Sequence, residues 1–128
     1  MDWTGVKRSE VLELVRGPAA ALLEQILARS DMDRHWAECE LAGGRMQAWT
    51  LGRPVHSLVL SQIENRPKRR VLVVWGAAGV LSALLPAMPV LLAWGRQQGC
   101  SVVECTGRLG WQRALGWPRA TQTLRKEL

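Results

Sequence analysis

Phenylalanine and tyrosine are absent from the 128 residues, and seven tryptophans carry all the aromatic mass. No phenol is therefore on hand as a proton donor. Cysteine is scarce and odd in number: Cys39, Cys100 and Cys105. Three thiols cannot all pair within one chain, and Cys100 and Cys105 lack the spacing of a CxxC pair. Neither a disulfide framework nor a zinc ribbon is indicated, and no metal is expected. His35 and Cys39 stand four apart on one predicted helix, but two ligands do not hold zinc. All three cysteines are expected as small buried hydrophobes in a reduced, intracellular protein. The opening segment, Met1 to Arg8, is polar and has no secretory pattern.

Negative charge is also in short supply. Eleven Asp and Glu face 17 Lys and Arg, giving a net charge of +6 and a pI near 10.2. Such a balance suits acidic partners or merely a solvated basic surface. The densest cluster is Arg66, Lys68, Arg69 and Arg70, placed in a polar turn; Arg108 and Arg113 add a second pair. These six are the candidate partner- or anion-binding residues. An acidic protein surface ranks above nucleic acid, because base stacking needs exposed rings. In Gly107 to Pro118, Trp111, Leu115 and Trp117 are expected to close a core around a short helix instead.

Between Val71 and Gly95 there is no charged residue across 25 positions, a length that could span a bilayer. Gly76, Gly79, Pro86 and Pro89 break the run, and its first part, VLVVW, reads as a buried strand. A membrane-inserting protein is thus the lowest of three readings, and no membrane partner is expected.

Periodicity orders the rest of the chain. Ser9 is expected to cap a helix from Glu10, and Pro18 to start a second carrying Leu22, Leu23, Ile26 and Leu27 at helical spacing. A third helical piece covers about Asp33 to Leu41. The period then becomes strand-like: Met46 to Leu51, a turn at Gly52-Arg53-Pro54, and Val55 to Ile63, apolar on both faces and so central. Glu64 to Lys68 is a turn and Arg70 to Trp75 a third antiparallel strand. The chain leaves this strand at Gly76 to Gly79. A helix from Pro89 to Gln98 ends at Gly99, followed by a strand from Ser101 to Cys105, a helix from Trp111 to Leu115 and a strand from Arg119 to Leu124. The fold class is α/β (α+β), a mixed, mostly antiparallel sheet flanked by helices, in a single domain over 1–128.

The second half, with VLVVW, then AWGRQQGC, SVVECTG and GRLGWQRALGW, resembles the GNAT N-acetyltransferase superfamily over roughly residues 9 to 128. The chain is similar to compact GNAT-like proteins of tailed phages and prophages, which places it in the host cytoplasm or in a virion. The resemblance implies acyl-CoA binding along a strand edge at Val74 and Trp75, with pyrophosphate at Gly76 and Gly79. In this family the pyrophosphate turn usually reads Q/R-x-x-G-x-G/A. Here the corresponding residues run from Trp75 to Ser82 without the basic residue or the second tight glycine. The tyrosine that often serves the family as general acid is missing too. Glu64 and Glu104 are candidate bases, but no catalytic residue is assigned. The leading expectation is a non-catalytic, virion-associated interaction module without cofactor, its partner a phage structural protein. The alternative is an active acyl-CoA-dependent N-acyltransferase using acetyl-CoA.

Overall fold

The computed structural model describes residues 2–105, 115–117 and 126–127. The expected helix at Trp111 to Leu115 (apart from Leu115 itself), the expected strand at Arg119 to Leu124, and both Arg108 and Arg113 lie outside them. The order is β1 (Thr4–Gly5), α1 (Val11–Arg16), α2 (Ala20–Leu27), α3 (Arg34–Ala42), β2 (Met46–Leu51), β3 (Ser57–Arg66), β4 (Arg69–Ala78), α4 (Leu81–Leu84), α5 (Ala87–Gln97) and β5 (Val102–Cys105). The sheet runs β1-β2-β3-β4-β5. Its first three pairings are antiparallel, and β4 with β5 is parallel. That parallel pair needs a crossover, which α4 and α5 supply.

β3 is the middle strand because both of its faces are apolar. Leu58 and Leu60 pack with Val15, Leu23, Ile26 and Leu41 on the side covered by α1, α2 and α3. Val59 packs with Trp49, Leu72, Val74, Met88 and Leu91 on the side covered by α4 and α5. Each fully buried Leu or Val contributes roughly 1.5–3 kcal/mol relative to exposure. The polar atoms inside this core are paired: Trp49 Nε1 donates to Ser61 Oγ at 2.9 Å, and Ser61 Oγ donates to Gln47 Oε1 at 3.0 Å. Trp3 ties the N-terminal strand to the far layer by donating Nε1 to the carbonyl of Ala83 at 2.9 Å.

Several boundaries differ from the sequence reading. Ser9 does not cap α1: Glu10 holds the cap position with no side-chain bond, and its N–H goes to the Lys7 carbonyl. Ala19, not Pro18, precedes α2, so Gly17-Pro18 is connector. Asp33 does cap α3, accepting from Trp36 N. The expected turn at Glu64 to Lys68 contracts to Pro67-Lys68, because β3 continues to Arg66, which pairs with Arg69. β4 does not stop at Trp75; it runs on to Ala78. α5 begins at Ala87 rather than Pro89, and Pro89 fits because it lies within the first turn, where its missing N–H costs little. Cys39 is exposed, against the expectation of burial. Leu115 and Trp117 do pack against the core cluster that includes Trp49, Val59 and Leu91. The uncharged run is divided among β4, α4 and α5, and no helix of the described residues is long and apolar enough to cross a membrane.

Candidate active site

The opening in the sheet arises from two irregularities in β4. Opposite β3 the register jumps, with Leu60 facing Gly76 and Ser61 facing Val74. Trp75 is the extra residue, a β-bulge of the kind that bends a strand and re-aims a side chain. On the other edge, β4 pairs with β5 only from Val71–Val102 to Val74–Cys105. From Trp75 to Ala78, β4 has no β5 partner among the described residues. An unpartnered strand edge offers backbone donors and acceptors to an extended ligand.

Trp75 is held firmly at the bulge. Its Nε1 donates to Gln62 Oε1 at 2.9 Å, and Gln62 Nε2 donates to Glu40 Oε2 at 3.1 Å. Arg45 Nε also donates to Glu40 Oε2, at 3.0 Å. The ring of Trp36, on α3, meets Trp75 edge to face with centroids 6.1 Å apart and planes at 82°. Glu40 is thus the carboxylate joined to the bulge by hydrogen bonds. Sequence reasoning missed it, along with Gln62 and Trp36. The only available signal was that Trp36 and Glu40 stand four apart on one helix; their meeting with β4 depends on tertiary packing.

Beyond the bulge, packing explains both candidate glycines. A Cβ at Gly76 would come within 2.7 Å of Ile26 Cγ2, so α2 sits directly on the strand there. Gly79 has φ +129°, and a Cβ there would lie 2.3 Å from Ser57 Oγ and 2.9 Å from the His56 carbonyl. Only glycine lets the chain turn from β4 across the start of β3. His56 Nδ1 lies 2.9 Å from Ser57 Oγ at this same end.

A phosphate grip at the start of α5 is not available. Pro86 and Pro89 have no N–H, Met88 N–H is bonded to the Leu85 carbonyl, and Ala87 is wholly buried. The donors that normally make a helix N-terminus an anion site are therefore spent. The turn from Gly79 into α4 remains as the segment that could take a pyrophosphate. Val74 itself is core, its side chain buried. The strand edge thus suits an extended arm, and the turn from Gly79 rather than the start of α5 is left for a diphosphate.

The candidate bases Glu64 and Glu104 stand elsewhere. Both pair with Arg66, whose Nη1 reaches Glu104 Oε2 at 3.0 Å. The hydrogen bond that Arg66 donates to Glu104 is the main cause that raises the Arg66 pKa above its usual value. Arg66, Lys68, Arg69 and Arg70 gather at the β3–β4 hairpin, at the opposite end of β4 from the opening. At about 3.3 Å per residue the two ends are roughly 30 Å apart. Cys105, opposite Val74, has its thiol pushed up by burial to about 11, so it is a neutral thiol at physiological pH and no nucleophile. His35 Nε2 and Cys39 Sγ lie 3.7 Å apart on α3, and no group of three or more metal-ligating side chains gathers among the described residues.

The mixed, mostly antiparallel sheet with its flanking helices matches the fold of solved GNAT N-acetyltransferases. No family model matches the sequence, and no curated protein matches it. Solved structures do. A predicted acetyltransferase from Clostridium acetobutylicum, solved with acetyl-CoA, has a TM-score of 0.69 at 8% identity, over 98% of this chain and 95% of that one. A ribosomal-protein-alanine N-acetyltransferase from Brucella melitensis biovar Abortus 2308 gives 0.70 at 12% identity, with 100% of each chain covered. A GCN5-related N-acetyltransferase from Ralstonia eutropha JMP134 gives 0.70 at 14% identity, over 98% and 97%. At these identities the likeness speaks for the fold.

Proposed function

We propose that the chain is an acyl-CoA-dependent N-acyltransferase. The observation that carries this reading is the bulged end of β4, from Trp75 to Ala78, which has no β5 partner among the described residues. The amides of a pantetheine arm can pair with that edge as a short strand does. The thioester then lies at the bulge. The acceptor amine attacks its carbonyl carbon with a free lone pair, the carbon–sulfur bond breaks, and CoA leaves as the thiolate. The proton released by the amine passes to Glu40, the carboxylate linked through Gln62 to Trp75. No phenol assists, since the chain has no tyrosine. Solvent protonates the thiolate, whose ordinary pKa is near that of a free thiol, about 8.5.

Calorimetric titration with acetyl-CoA tests the reading. Binding is expected, with acetyl-pantetheine keeping most of the affinity because α5 gives the diphosphate so little. A flat titration with both ligands would remove the proposal.

A second reading draws on the same blocked start of α5 and the missing tyrosine. It is a non-catalytic module of a phage particle, docked on an acidic structural protein. Recovery of the chain from intact particles, together with a flat acetyl-CoA titration, would favour it.

A further inference from the structure

The β3–β4 hairpin ends in a concentration of positive charge that the acyltransferase reading does not use. Its register sets Arg66 against Arg69 and Asn65 against Arg70, leaving Pro67 and Lys68 at the tip. Like charges directly opposed across a strand pair are destabilising. Nearby carboxylates offset only part of this, because Glu64 and Glu104 are both taken up by Arg66. Lys68 and Arg69 are exposed and have no ion pair among the described residues. Arg70 donates Nη1 to Asn65 Oδ1 at 2.9 Å. Its Nε is buried and has no hydrogen-bond partner among the described residues. A guanidinium N–H left without an acceptor is costly, and a phosphate oxygen is an acceptor that guanidinium groups pair with well.

We infer that this tip binds the phosphodiester backbone of nucleic acid, independently of sequence, through Lys68, Arg69 and Arg70. The tip is a poor match for a protein surface. A stable protein interface buries about 800 Å² per partner around an apolar centre, and a two-residue turn cannot supply that. The exposed large hydrophobic side chains among the described residues are Trp36, Val80 and Val90, none of them on the hairpin. Binding a polyanion needs neither area nor apolar anchors, only cations that displace counterions. No ring stands at the tip to stack on bases, so sequence preference is not expected. This placement reverses the ranking that the sequence suggested.

The test uses the full chain and a fluorescein-labelled 20-base-pair duplex, followed by anisotropy across a salt series. Binding is expected at low salt and should fall steeply as salt rises. The K68Q/R69Q variant should weaken it tenfold or more and flatten the log–log salt slope by about 2, near 0.9 per phosphate contact. The control R29Q/R53Q removes the same charge away from the hairpin and should retain most of the slope; circular dichroism confirms that both fold. Absence of binding at 50 mM salt would overturn the inference. So would equal losses in both variants, or a poly-glutamate peptide that competes as well as duplex at equal charge.

Discussion

The two ends of β4 differ in almost every respect. At one end the strand is regular, tightly hairpinned to β3 through Pro67-Lys68 and lined with Arg66, Arg69 and Arg70. At the other it bulges at Trp75, has no β5 neighbour after Val74 among the described residues, and turns sharply at Gly79. The regular end exposes charge and buries little, so its side chains are free to meet a partner. The irregular end is sealed by packing from α2, α3 and the start of β3, so its backbone is what remains to meet a ligand. A strand thus offers side chains where it is exposed and main chain where its ladder is interrupted.

The largest expected effect falls on the chemistry of the irregular end. Glu40→Gln keeps acceptors for Gln62 and Arg45 but cannot take a proton. It should lower kcat by about 100-fold or more with little change in KM for acetyl-CoA, measured by thiol release. Equal kcat in both proteins would dismiss Glu40.

Next is the turn. Gly79→Ala puts a side chain at φ +129° against Ser57 and the His56 carbonyl. It should cost on the order of 3 kcal/mol or more in urea unfolding. Lys68→Ala, at the regular end, should stay within about 0.5 kcal/mol. Similar losses at both positions would erase the contrast.

A further effect, confined to alkali, comes from Cys105. Cys105, paired with Val74 of β4, has a thiol raised by burial from 9.0 to about 11. Below pH 9 it is neutral both folded and unfolded, so it does not affect stability there. Above pH 9 the unfolded thiol ionises while the folded one does not, and stability falls until pH 11 is passed. The loss should total at most about 3 kcal/mol and be absent in Cys105→Ala. No tyrosine titrates in that window to obscure it.

Much of this was readable in advance. The alternation of Met46 to Leu51 marked β2 to the residue, and the helical piece expected at about Asp33 to Leu41 is α3 (Arg34–Ala42). The two apolar faces of β3 placed it at the centre. β1 was not readable, since two residues carry no period. The bulge at Trp75 was not readable either, because register is a relation between two strands and leaves no mark on one. For the same reason Gly76 and Gly79 looked like a phosphate turn: a glycine that admits a ligand and one that admits Ile26 or Ser57 are the same letter.

By itself the sequence determined the composition of both cores, the missing phenol, the excess of cations and the helix–strand order, all of which follow from local period and residue chemistry. Only tertiary structure decided that Glu40 meets Trp75 through Gln62, that β4 bulges at Trp75, and that the arginines lie at the far end of the strand. Those facts depend on which residues distant in the chain are brought into contact, and pairing energy, not local propensity, selects them.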